Sequence, residues 1–237
     1  MKLIQIFTAL ALLTSLGYAE STTTGKKLLK PDSSKKQTTK PPAWMLQDEF
    51  TVSTVDGKRV HLLSTKKGFT FDGSKGKITL LVVWKMGCQS CPKWLEEMEA
   101  LQKAFPKKLK IVALEIGNTQ KKKLEKLVKQ KKANGKAVKK IIEKNESDIK
   151  AFAKKHHLSF PIVPILSNQG NLAFAMQTLY KYQFDKPRGT AKRGGGLPFT
   201  VVFGYEGQTA GITAGISEKK AYKAYIQKLI KHYDKKK

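Results

Sequence analysis

The chain has 237 residues, with 46 Lys and Arg against 18 Asp and Glu, and a formal net charge of +28. That length suits one domain with insertions rather than two full ones. The two cysteines lie three positions apart, which excludes a scaffold stapled by disulfides spread along the chain. The charge excess, nearly all Lys, reads either as a solvated face or as a surface drawn to anionic lipid, polymer or protein; few aromatics stand among the lysines, so no specific nucleic-acid partner is expected.

Residues 1–19 carry one basic residue, Lys2, then an apolar run that ends Gly17-Tyr18-Ala19. This pattern predicts a secretory signal peptide, with an uncleaved membrane anchor as the alternative because the run approaches the shortest spanning length. Either outcome puts the remainder outside the cytoplasm, in the periplasm or otherwise exported, where disulfides persist. Residues 20–43 are Ser, Thr, Lys and Pro with little to bury, and predict a flexible linker before a domain over 44–237.

Structure is expected from Trp44. Phe50 to Val55 alternates with period two, Asp56-Gly57 marks a turn, and Arg59 to Leu63 reads as the return strand of a hairpin. Ile78 to Trp84 is a continuous apolar run suited to a strand buried on both faces. From Cys88 to about Phe105, residues Cys91, Leu95, Met98, Leu101 and Phe105 recur at helical spacing, and Lys110 to Ile116 forms the next strand. The helix between those two strands implies a parallel, right-handed crossover.

Residues 119–145 read as a Lys-rich helical insertion, broken near Asn134-Gly135 and carrying a thin apolar stripe. A helix capped at Ser147 or Asp148 follows to His157, then a strand over Phe160 to Leu166 and a helix from Asn171 to Tyr180. A basic, Gly-rich loop over 181–196 leads to Pro198, the strand Phe199 to Phe203, a turn at Glu206-Gly207, and a strand over Thr209 to Thr213. Ser217 is placed to cap a final helix with Tyr222, Tyr225, Ile226, Leu229 and Ile230 inward.

A C-x-x-C pair where a buried strand enters a helix has a chemical consequence. The first cysteine meets unpaired backbone N–H groups at the positive end of the helix, which favours its thiolate, while the second lies within the first turn. Cys88 is therefore the expected nucleophile and Cys91 the resolving thiol, working through a mixed disulfide. A zinc site needs four ligands, and His61, His156, His157 and His232 show no paired metal spacing near the cysteines, so no metal or other cofactor is expected. A c-type haem motif would need His where Pro92 stands. A merely structural disulfide would close too short a loop to stabilise much. Pro198, just before an apolar strand, is either an ordinary strand-entry proline or a cis-Pro facing the cysteine turn.

The run Thr79-Leu80-Leu81-Val82-Val83-Trp84-Lys85-Met86-Gly87-Cys88-Gln89-Ser90-Cys91-Pro92 resembles the strand, aromatic and active-site turn of the thioredoxin superfamily, in its exported TlpA-like branch related to cytochrome c maturation reductases. Phe50 to Leu63 resembles the N-terminal hairpin of that branch, and Leu197 to Phe203 its cis-Pro strand. The resemblance implies an α/β thioredoxin fold: a central mixed sheet flanked by helices, with an N-terminal β-hairpin. It further implies that Leu197, Pro198 and Trp84 help present a protein substrate to Cys88, and that a membrane electron donor or acceptor protein recharges the pair. The sequence departs from the family in having Gly87 where Trp usually precedes the first cysteine. It also has Trp94 where the cytochrome-maturation reductases carry a Glu, with Glu96 and Glu97 further along. The functional expectation is thiol–disulfide exchange on protein cysteines, as a reductant; the alternatives are an oxidant or isomerase, a thiol peroxidase, and a basic binding module without redox turnover.

Overall fold

A computed structural model describes residues 48–117, 119–130, 134–179, 181–182 and 196–235. The expected signal segment 1–19, the linker 20–43, Trp44 and nearly all of the 181–196 loop lie outside the described residues.

Three strands, β1 (Glu49–Ser53), β2 (Arg59–Thr65) and β3 (Gly68–Phe71), form an antiparallel sheet in that order. The expected hairpin is its first half. Phe50 pairs with Leu62 and Val52 with Val60, so one face is apolar, and Gly57 takes the left-handed conformation (φ 83°) that the turn demands. β3 was not anticipated, because Gly68-Phe69-Thr70-Phe71 is too short to show a period. Its identity as a strand comes from partners: Phe69 and Phe71 are buried, and Gly68 bridges Gln208. A Cβ on Gly68 would lie 2.0 Å from the Gly207 carbonyl oxygen, so only Gly allows this approach.

Five further strands, β4 (Ile78–Trp84), β5 (Leu109–Glu115), β6 (Ile162–Pro164), β7 (Phe199–Phe203) and β8 (Thr209–Ala214), make a mixed sheet ordered β6-β5-β4-β7-β8. β4 runs parallel to β5, and β5 to β6, while β7 is antiparallel to β4 and β8. Among the described residues, five helices surround the sheets: α1 (Cys91–Ala104), α2 (Thr119–Lys129), α3 (Gly135–Lys155), α4 (Gln169–Leu179) and α5 (Lys219–Asp234). The α1 crossover between parallel β4 and β5 is as the apolar pattern requires.

All seven residues of β4 are buried because both of its faces are covered. Leu81 and Val83 join Val112, Val201, the three-stranded sheet and Phe174 of α4 in one cluster. Leu80, Val82 and Trp84 join Ile111, Trp94 and Leu95 of α1, and Tyr222 and Ile226 of α5 in the other. Buried apolar side chains on both faces drive this layering, each contributing roughly 1.5–3 kcal/mol when fully removed from water.

The strand expected over Phe160 to Leu166 is confined to Ile162–Pro164, and two helix boundaries also differ from the sequence reading. The Lys-rich insertion does not end at residue 145: α3 runs unbroken from Gly135 to Lys155, capped by Asn134, whose side-chain oxygen accepts the Ala137 N–H at 2.9 Å. Ser147 and Asp148 are helix-interior, and Asp148 instead accepts from Gln120 of α2 and pairs with Lys144, interactions that hold its carboxyl below the usual range, the Lys144 contact foremost. The first half of α3 packs Val138 against one face cluster and the second half packs Ile149 against the other, so one helix spans what pattern alone divides. At the last helix the cap position is Glu218, not Ser217, and its side chain makes no capping bond.

Candidate active site

β4 delivers the chain to the cysteine turn and stops there. Gly87 adopts φ +85°, a left-handed conformation that disfavours any residue with a Cβ. The Trp that family likeness leads one to expect at this position would be strained here, so the backbone accounts for the glycine. The Cys88 N–H donates to the Lys85 carbonyl (3.3 Å), tightening the turn.

Cys88 and Cys91 form a disulfide with their Cα atoms 5.4 Å apart. Cys88 is half-buried, whereas Cys91, the first residue of α1, is only 1% exposed. Pro92 occupies the first helical turn, where an N–H is not needed. An incoming reactant therefore meets Cys88 first.

The second wall comes from the other end of the chain. Antiparallel pairing of β7 with β4 sets Phe199 opposite Val83, which carries Leu197 and Pro198 to the cysteine turn. The Leu197–Pro198 peptide is cis. Cys88 Sγ lies 3.6 Å from the Leu197 carbonyl oxygen, and the Ser90 hydroxyl donates to that same oxygen at 3.1 Å. Behind the loop, the Gly215 N–H donates to the Pro198 carbonyl at 2.7 Å, and Ile216 next to it is 41% exposed.

Cys88, Cys91, Leu197 and Pro198 are thus brought together. Trp84 is not part of this surface. Its period-two position turns it inward with Leu80 and Val82, it is 0% exposed, and its ring stacks on Phe152 of α3 at 4.8 Å. It is a core residue below the turn, and the substrate-contact role implied for it does not hold.

Trp94 is equally buried. Its indole Nε1 donates to Thr200 Oγ1 at 3.0 Å, and its ring meets Tyr222 edge-on at 5.0 Å. This indole ties α1 to the strand that follows Pro198. Burial pushes the Tyr222 hydroxyl upward, so that ring stays neutral. Of the carboxylates on α1, Glu96 faces out and pairs with His156 Nδ1 at 2.7 Å; Glu97 lines a cavity between α1 and α5 with Lys219 and Lys223. Glu99 accepts from the backbone and hydroxyl of Ser159.

Two site-proximal residues escaped the sequence reading. Glu115 is fully buried at the end of β5, in register with Trp84, and accepts the Gly117 N–H at 2.9 Å. A lone Glu closing an apolar strand was the signal available. Ser90 was the other, hidden because the middle residues of a C-x-x-C carry no periodicity. Among the described residues, no three His, Cys, Asp or Glu cluster as metal ligands, and no helix is long and apolar enough to cross a membrane.

A parallel β4-α1-β5 unit, an antiparallel β7-β8 hairpin, a terminal helix and a cis-proline loop facing a helix-initial cysteine pair define the thioredoxin fold, and the chain is similar to thioredoxin-like proteins. The thioredoxin-like protein YneN of Bacillus subtilis is 27% identical over 115 residues, 48% of this chain and 49% of that one. The chain spans about half the length of the curated relative it matches. No family model matches. Similar solved structures include StoA from Bacillus subtilis (18% identity, TM-score 0.44, covering 75% of this chain and 95% of that one). Another is a thiol:disulfide interchange protein from Chlorobium tepidum (14% identity, TM-score 0.49, covering 77% and 94%).

Proposed function

We propose that this protein exchanges electrons between its Cys88–Cys91 pair and the cysteines of other proteins, working outside the cytoplasm as a reductant. The observation that carries the reading is the unequal exposure of the two sulfurs: Cys88 is half-buried beside the Leu197 carbonyl, and Cys91 is covered. In the reducing direction, the Cys88 thiolate attacks a substrate disulfide, forming a mixed disulfide and releasing one substrate sulfur as thiolate. Cys91, once deprotonated, attacks Cys88 Sγ and releases the second substrate sulfur, so two electrons pass to the substrate and the Cys88–Cys91 bond forms. A dithiol protein at the membrane would return the pair to its reduced state. Leu197 and Pro198 flank the path to Cys88 and are the residues proposed to hold the substrate chain.

Export is supported by the N-terminal pattern of residues 1–19 and by likeness to the exported TlpA-like branch. Insulin reduction tests the chemistry: wild type should turn over, and Cys88→Ser should not. Cys91→Ser, expressed with its native N-terminus, should accumulate mixed disulfides whose partners name the substrate. Absence of turnover in wild type would overturn the proposal.

A second reading rests on charge. Lys122, Lys123, Lys126 and Lys129 of α2 and Lys136, Lys139 and Lys140 of α3 are all exposed, a face suited to anionic lipid or acidic protein. Under that reading, salt-sensitive binding to anionic vesicles persists in Cys88→Ser while exchange is absent even in wild type.

A further inference from the structure

Ser90 stands at the helix cap position, yet its side chain caps nothing in α1. Its hydroxyl donates to the Leu197 carbonyl oxygen at 3.1 Å, and its oxygen also lies 3.6 Å from Cys88 Sγ, which is itself 3.6 Å from that carbonyl. Three groups thus form a small triangle, and a serine has a single proton to give. While Cys88 is in a disulfide its sulfur is a weak neutral acceptor, so the carbonyl takes the proton. When the disulfide is reduced, the charge on a Cys88 thiolate makes it much the stronger acceptor, since hydrogen bonds to ionised groups are roughly twice as strong as neutral ones.

We propose that Ser90 is a redox-dependent hydrogen-bond switch: it clasps the Leu197 carbonyl in the oxidised protein and turns to the Cys88 thiolate in the reduced protein, leaving that carbonyl open to a main-chain N–H of the substrate. The inference rests on the exchange reading above in taking Cys88 as the sulfur left as thiolate. The electron balance is that of dithiol exchange: the reducing dithiol loses two electrons and becomes a disulfide, and the Cys88–Cys91 bond breaks. Cys91 keeps one proton, and the other goes to solvent. The switch would make the substrate-holding wall of the site open when the pair is charged with electrons and closed when it is spent.

The test compares Ser90→Ala and Ser90→Thr with wild type, all as the full chain reduced by a phosphine, which needs no protein partner. In Ser90→Ala the midpoint of the pH dependence of Cys88 alkylation should rise by about one unit, a tenfold loss of thiolate stabilisation. Ser90→Thr, which keeps the hydroxyl, should stay near wild type. At a pH above the wild-type midpoint, the reduction potential of Ser90→Ala should become more negative by up to about 30 mV, the equivalent of tenfold in the two-electron equilibrium. The sign discriminates: if Ser90 only clasps Leu197 in the oxidised form, its loss weakens that form and the potential moves the opposite way. In wild type, the Leu197 carbonyl carbon resonance should shift on reduction as the hydroxyl departs, a measurement that needs no variant to fold. An unmoved resonance, an unchanged alkylation midpoint in Ser90→Ala, or a potential that becomes less negative overturns the switch. Failure of wild type to reduce insulin would count against the proposed function alone, because the titration and the resonance are read after chemical reduction.

Discussion

The two sheets of this protein are built by opposite rules. The five-stranded sheet has a central strand, β4, buried on both faces, and it ends at the cysteine turn. The three-stranded sheet alternates buried and exposed residues along β1 and β2, and covers one face of the first at a distance from the cysteines in the fold. Position and chemistry therefore reside in the central sheet and its α1, while the small sheet acts as a cover whose attachment governs stability. The cover is fastened at a few points. Asn171 of α4 donates to the carbonyls of Ser53 (2.9 Å) and Pro164 (2.7 Å) and accepts the Ser53 N–H (2.8 Å), bridging β1 and β6. Gly170 lets α4 approach so closely that a Cβ would lie 2.2 Å from the Thr51 carbonyl oxygen.

Substitutions in each region should separate these roles. The largest effect is expected at the end of the central sheet: Cys88→Ser should reduce insulin-reduction activity to the uncatalysed background with little change in the denaturation midpoint of the reduced protein. Next, Asn171→Ala removes the partner of three backbone groups, one of them buried, and should cost about 3 kcal/mol in urea unfolding, with the Cys88 alkylation rate unchanged in the folded protein. Gly170→Ala forces β1 and α4 apart and should cost about 2 kcal/mol, again without altering Cys88. Trp94→Phe removes the indole bond to Thr200 and should cost only about 1 kcal/mol, yet it should change Cys88 alkylation because Thr200 sits two residues beyond Pro198. If the cover variants moved Cys88 reactivity as much as Trp94→Phe does, the division of labour between the sheets would be wrong.

Several site features are legible in the sequence. Strand, turn and helix around Cys88 follow from an apolar run that gives way to residues at helical spacing, and Pro198 before Phe199 marks the second wall. Other features are not. β3 has too few residues for a period and exists through Phe69, Phe71 and Gly68 meeting groups from distant segments. The length of α3 was misread because Ser147 and Asp148 are good caps in isolation, and only packing on both face clusters makes them interior. Trp84 received its substrate-contact role from the family resemblance alone, and its place at the end of a strand buried on both faces puts it in the core instead.

The sequence by itself determined the local chemistry: a cysteine pair at a strand-to-helix junction, with one sulfur at the entry of the helix and one inside it. That much depends on neighbours within a few residues, which spacing and propensity report. Only the tertiary structure decided what faces Cys88. The Leu197 carbonyl arrives from 109 positions away through the β4–β7 pairing, and the Ser90 hydroxyl gains its meaning from that arrival. Contacts of this kind are selected by the register of strands distant in sequence, and no local pattern encodes them.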